Sequence, residues 1–113
     1  MKILILGGTG AMGKHLVKIL SYNRNNKLYI TSRSHHISGD NLQYYLGDAH
    51  NMNFIQSIVD KVDYDAIIDF MYYSTQVNSD ILHGLFGESR KINKALLRCF
   101  CLSGPCKMSL CLW

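Results

Sequence analysis

Hydrophobic positions along this chain follow two patterns in turn: short continuous runs, and stretches with a helical period. Lys2-Ile3-Leu4-Ile5-Leu6 is an apolar run ended by glycines. That is the pattern of a central parallel strand buried on both faces, where alternation is not required. Each fully buried Leu or Ile in such a strand contributes about 1.5–3 kcal/mol. From Ala11 to Tyr22 the period lengthens, with Met12, Leu16, Ile19 and Leu20 on one face and Lys14 and Lys18 turned outward. This predicts an amphipathic helix, stopped by the turn Asn23-Arg24-Asn25-Asn26. Lys27 to Thr31 is rich in strand formers and predicts a second strand. Ser32 to Asp40 is polar and reads as a loop, and Asn41 to Leu46 as a third strand closing at Gly47-Asp48. Residues 51–62 return to a helical period through Met52, Ile55, Ile58, Val59 and Val62, and Tyr64 to Met71 contains a fourth strand.

The order β-α-β-β-α-β predicts an α/β fold with a parallel sheet and helices on both faces. Right-handed crossovers place the second and third strands to one side of the first and the fourth strand on the other. The sheet then changes direction between strands one and four, and ligands bind at such a point, outside the carboxyl ends of the strands. The link from strand two to strand three is short for a helical crossover.

The chemistry sits where the first strand meets the first helix. Gly7-Gly8-Thr9-Gly10-Ala11-Met12-Gly13 satisfies both Gly8-x-Gly10-x-x-Gly13 and Gly7-x-x-Gly10-x-x-Gly13. A glycine-rich loop placed after a buried strand and opening a helix is the dinucleotide-binding loop of a Rossmann-type fold. The helix N-terminus offers unpaired N–H donors and about half a positive charge to the phosphates. The Rossmann pattern expects an acidic residue about 20 positions on, to hold the adenosine ribose hydroxyls. Arg33 stands there instead, within Thr31-Ser32-Arg33-Ser34, and no Asp or Glu occurs between Gly13 and Asp40. An arginine flanked by hydroxyls suits a 2′-phosphate, through charge-assisted hydrogen bonds of about 1.5–3 kcal/mol each. NADP is therefore the expected cofactor, with NAD the alternative.

The glycine segment resembles the motif of the extended short-chain dehydrogenases/reductases, the NAD(P)-dependent epimerase/dehydratase group. Gly47-Asp48 is similar to that family's adenine contact, in which the carboxylate accepts from the exocyclic amine. The resemblance covers residues 1 to about 80. It implies a cofactor site made by Gly7, Thr9, Gly10, Ala11, Met12, Gly13, Ser32, Arg33, Asp48, Ala49, Phe70 and Met71. It also implies oxidoreductase chemistry on a small molecule, in many members a nucleotide sugar whose hydroxyl is oxidised so that a stereocentre inverts or water leaves. Two departures stand out. The family has small residues after the fourth strand, whereas Phe70-Met71-Tyr72-Tyr73 is bulky. Its chemistry also needs a tyrosine followed four residues later by a lysine, beyond a fifth strand that this chain is expected not to reach. The residues four on from Tyr22, Tyr29, Tyr44, Tyr45, Tyr64, Tyr72 and Tyr73 are Asn26, Arg33, Asp48, Ala49, Ile68, Gln76 and Val77. Ser74 and Thr75 come too early to be the family's catalytic hydroxyl, so no catalytic residue is assigned.

Composition refines this picture mainly at the carboxyl end. The chain has 113 residues, 48% hydrophobic and 18% charged, enough for one globular domain. No apolar run reaches the roughly 18 residues of a membrane span. Lys2 is followed by four apolar residues before the glycines, which is no signal peptide. A cytoplasmic protein is expected, with no membrane partner. The net charge of +4 is uneven. Residues 1–83 balance seven Lys/Arg against seven Asp, while Arg90, Lys91, Lys94, Arg98 and Lys107 face only Glu88. The same tail holds Pro105, Trp113 and all the cysteines. Cys99, Cys101, Cys106 and Cys111 match no paired C-x-x-C spacing and read as free thiols. His35-His36 reads as exposed loop, Asp63 and Asp65 as a solvated turn, and Asp69 as a residue at the crevice mouth. The basic tail lacks interleaved aromatics, so no nucleic-acid partner is expected.

The expected architecture is a Rossmann-type half-domain over residues 1–80, incomplete at about four strands. Residues 81–113 form an atypical tail of the kind a truncated or frame-shifted reading frame leaves. The expected function is the NAD(P)-binding portion of an epimerase/dehydratase-like oxidoreductase, with a substrate only in a full-length form. The alternative is a non-catalytic NADP-binding module or redox sensor.

Overall fold

Strand β1 (Lys2–Leu6) is the floor of the structure, with Leu4, Ile5 and Leu6 fully buried. The structure is a computed structural model that describes residues 1–71 in full and, beyond them, the backbone of two strands, Ala95–Phe100 and Lys107–Cys111. Tyr72, Tyr73, Ser74, Thr75, Arg90, Lys91, Lys94, Cys101 and Cys106 lie outside the described residues. After β1 come α1 (Ala11–Ser21), β2 (Lys27–Ser32), β3 (Leu42–Leu46), α2 (Met52–Val59), β4 (Ala66–Asp69), β5 (Ala95–Phe100) and β6 (Lys107–Cys111).

The sheet order is β3-β2-β1-β4-β5-β6. Strands β1 to β4 take the expected places, with β2 parallel to β1 from Lys2↔Lys27 to Ile5↔Ile30 and β4 parallel on the other side from Ile3↔Ala66 to Leu6↔Asp69. The direction of winding therefore reverses between β1 and β4. The sheet also continues past these four strands. Strand β5 runs parallel to β4, and β6 returns antiparallel along its outer edge. The expectation that the chain stops short of a fifth strand is corrected here: Ala95–Phe100 supplies one, from inside the cysteine-bearing tail. Its mixed run, Ala-Leu-Leu-Arg-Cys-Phe, had been masked by the change in composition around it.

Each face of the sheet has its own core. On one, α2 seats Ile55, Ile58 and Val59 against Leu4, Leu6, Tyr29, Tyr64 and Ile67. On the other, Val17 of α1 meets Ile3, Ile5, Leu28, Ile30 and Ile68, with Leu16 and Leu20 packed against them. Helices thus cover both faces. Tyr64 closes the first core: its ring meets Tyr29 edge-on at 5.2 Å, and its hydroxyl donates to the Ile58 carbonyl at 2.7 Å. Burial, reinforced by a hydrogen bond with Tyr45, pushes the Tyr64 hydroxyl well above its ordinary pKa, so it remains a donor.

The rotation of α1 differs from the expected one. Gly13 and Val17 are its buried residues, while Met12 is 43% and Ile19 64% exposed. The inner face is therefore shifted by one residue from the Met12–Ile19 line. The cause is a backbone contact: a Cβ at Gly13 would lie 2.5 Å from the Gly7 carbonyl oxygen and 2.6 Å from Gly8 Cα. Only glycine lets the helix sit this close, and that contact fixes which residues follow it inward. The helix ends as expected, with the Asn26 and Asn41 amides donating to the carbonyls of Leu20 and Ser21 at 3.2 and 3.1 Å.

Gly13→Ala tests this contact. Helix propensity favours alanine by about 1 kcal/mol, but overpacking against backbone costs about 1–3 kcal/mol and has no flexible side chain to absorb it. The variant should therefore be net destabilised, seen as a lower urea midpoint at unchanged slope. A midpoint equal to or above that of the wild type would show that the helix moves freely.

Candidate cofactor-binding cleft

The cleft opens where β1 ends. Gly7 adopts φ +74°, a conformation that glycine takes without strain. Its N–H donates to Thr31 Oγ1 at 3.1 Å, and its carbonyl accepts from Gly10 N–H at 3.1 Å. These two bonds tie the loop to the end of β2 and turn it into α1. Gly8 faces inward, where a Cβ would come within 2.6 Å of Ile30 Cγ2.

The two described helices begin differently. In α2 the Asn51 side chain accepts from the N–H groups of Asn53 and Phe54, satisfying its first turn from within the chain. In α1 the N-cap is Gly10, with no side-chain cap and no acidic residue in the first turn. The first N–H groups of an α-helix have no partner inside the helix, and those of Ala11, Met12 and Gly13 find none among the described residues. Gly10, the N-cap of α1, borders a cleft of about 300 Å³ together with Gly7, Thr9, Thr31, Ser32, Arg33, Gly47, Phe70 and Met71. An anion at this point gains both donors and the positive end of the helix dipole.

The structure brings most of the expected residues to this one place. Ser32 is buried, its Oγ accepting from Ser34 N–H at 3.2 Å. Arg33 is exposed, and among the described residues no carboxylate lies within ion-pair distance of it. Two expected residues turn their side chains away from the cleft. Met12 turns its side chain into an apolar groove on the α1 face, beside Ile3, Leu16 and Ile68. Ala49 is 3% exposed and lies in the core with Ile55 and Tyr64. Phe70 and Met71 border the cleft, yet Phe70 packs against the α1-side core and Met71 against the α2-side core. Strand alternation continues past β4 and divides the two bulky side chains between the faces, with the Met71 sulfur close over Gly7. Asp69, fully buried at the end of β4, accepts the Met71 N–H at 2.9 Å and shapes that exit.

Asp48 leaves β3 beside Arg33, because Leu46 pairs with Ser32 and Gly47 N–H donates to the Ser32 carbonyl at 2.9 Å. Its carboxyl is held below the ordinary value of 3.8, first by the backbone N–H of His50, then by the His50 ring, and with a contribution from the Arg33 charge. Three residues at the site escaped sequence reasoning. Thr31 carries the loop anchor, Gly47 borders the cleft with Phe54 against it, and His50 grips Asp48. The Thr31-Ser32-Arg33-Ser34 cluster carried a signal for the first and the Gly47-Asp48 pair for the second; His50 had none without the fold. Elsewhere, His36 stacks on Tyr44 at 4.8 Å. Among the described residues no three His, Cys, Asp or Glu side chains group to hold a metal, and no helix is long and apolar enough to cross a membrane.

The sequence profile of the NAD dependent epimerase/dehydratase family matches residues 3–107. No curated protein sequence matches the chain. Among solved structures it is similar to UDP-N-acetylglucosamine 4-epimerase from Bacillus cereus, at 21% identity and TM-score 0.59, covering 87% of this chain and 36% of that one. It is also similar to the Bordetella bronchiseptica enzyme WbmH in complex with NAD+, at 15% identity and TM-score 0.63, covering 81% and 36%. A third similar structure is the MycE methyltransferase of mycinamycin biosynthesis, at 16% identity and TM-score 0.67, covering 86% and 27%. These likenesses establish the fold, which serves more than one chemistry. The chain spans roughly a quarter to two-fifths of the length of these three.

The lowered pKa of Asp48 has a measurable sign. Its stabilising contacts are fully present above pH 3.8 and are lost as pH falls through the lower folded value. A carboxyl-detected NMR titration should place Asp48 below 3.8. A value at or above it would mean that His50 does not hold the carboxylate in solution.

Proposed function

The chain belongs to the NAD dependent epimerase/dehydratase family, and from that premise we propose that residues 1–80 hold a nicotinamide dinucleotide, NADP in preference to NAD, without turning it over. The observation that carries this reading is the uncapped first turn of α1 above the cleft, where the other described helix caps itself. The residues present fit the group. The backbone N–H groups of Ala11, Met12 and Gly13 suit the pyrophosphate, and Gly7, Thr9 and Gly10 let it approach the loop. Ser32 and Arg33 suit the adenosine ribose, where Arg33 replaces the acidic residue that favours a free 2′-hydroxyl. Asp48 and the Ala49 backbone suit the adenine, and Phe70 and Met71 wall the cleft on the β4 side. When bound, the nicotinamide would supply hydride transfer.

The chain's own part ends at holding and orienting the cofactor. No tyrosine is followed four residues later by a lysine, and no tyrosine follows Tyr73, so the family's proton-transferring pair has no counterpart. Its substrate, in a form that carries that pair, is proposed to be a nucleotide sugar, in keeping with the sugar-nucleotide epimerase among the similar structures.

Titration of the 113-residue chain with NADPH and NADH, followed by nicotinamide fluorescence, tests the reading. NADPH should bind more tightly. Arg33→Ala should weaken NADPH about 10-fold or more, the loss of one charge-assisted hydrogen bond, and NADH much less. Equal losses would remove the preference for NADP, and no binding by folded protein would remove the cofactor site. Turnover of a sugar nucleotide by this chain would refute the non-catalytic role.

A further inference from the structure

His50 belongs to no motif, yet it makes two hydrogen bonds to one atom of Asp48. Its backbone N–H and its ring Nδ1 each lie 2.9 Å from Asp48 Oδ1. An ionised carboxylate only accepts, so the Nδ1 contact requires the proton on Nδ1. Two bonds from one residue, in different directions, fix the carboxylate against rotation. The Asp48 side chain is nonetheless 54% exposed, and it directly follows Gly47, which borders the cleft. The rim carries opposite charges side by side. Arg33 follows β2 and Asp48 follows β3, close enough for the Arg33 charge to act on the Asp48 carboxyl.

We propose that His50 is a positioning residue for purine selection: by holding Asp48 through Oδ1, it keeps Oδ2 facing the 6-amino group of an adenine and against the 6-carbonyl of an oxo-purine. The inference rests on the cofactor reading above. An amine at this position donates to Oδ2. A carbonyl brings two acceptors together and leaves both unpartnered, which is how a polar site rejects the wrong ligand. If Asp48 were free to rotate, it could turn away from the carbonyl and the discrimination would fall. His50 therefore acts on the ratio of affinities for the two bases.

The test compares NADP with its nicotinamide hypoxanthine counterpart, by calorimetry on the whole chain and on its His50→Ala and His50→Asn variants. Wild type should prefer the adenine form by about 10-fold or more, the loss expected when a hydrogen bond to a charged group is missing. His50→Ala should bring the two affinities to within about 2-fold, the range left when no charged hydrogen bond separates the ligands. His50→Asn, whose amide can still donate to Oδ1, should restore the preference. Equal weakening of both ligands by His50→Ala would make His50 merely structural and overturn the proposal. So would an unchanged ratio, or a wild type that binds both bases alike. Wild type that binds neither dinucleotide removes the cofactor reading itself, and this one with it.

Discussion

The contact between Gly13 and the backbone of Gly7 and Gly8 governs the rest of this structure. With no Cβ in the way, the first turn of α1 lies directly on the loop that leaves β1. That approach sets the rotation of α1, sending Val17 into the core and leaving Met12 and Ile19 outside. It also aims the uncapped end of the helix at the space between β1 and β4. Thr31 holds the same loop from the other side by accepting the Gly7 N–H. One close backbone contact thereby positions a helix dipole, a cleft and the ends of neighbouring strands.

The cleft's electrostatics follow from strand pairing. Pairing of Leu46 with Ser32 delivers Asp48 next to Arg33, so a cation and an anion stand at adjacent strand ends. They form no ion pair: Asp48 is held by His50, and Arg33 has no carboxylate within ion-pair distance among the described residues. Family membership accounts for a fold able to hold a dinucleotide, and the absence of a tyrosine-lysine pair accounts for the proposed lack of turnover.

The local elements were readable from residue pattern. The continuous run of β1, the glycine spacing and the period of α2 placed each element to within a few residues, because these features depend on neighbours in sequence. The order of the first four strands also followed, since right-handed crossovers leave few arrangements. The fifth strand was not readable: Ala95–Phe100 lies in a segment whose charge and cysteine content masked its strand character. It earns its place by hydrogen bonding to β4, a partner 26 or more residues earlier in the chain.

The sequence by itself determined a Rossmann-like fold, a glycine-rich loop between its first strand and first helix, and an arginine where an acid is usual. Periodicity and glycine placement suffice for these because both are written into consecutive residues. Only the tertiary structure decided that the Met12 and Ala49 side chains turn away from the cleft, that Phe70 and Met71 part to opposite cores, and that His50 grips Asp48. Each of those outcomes depends on which way a side chain turns, and that is set by contacts with residues distant in sequence or by the geometry of a turn.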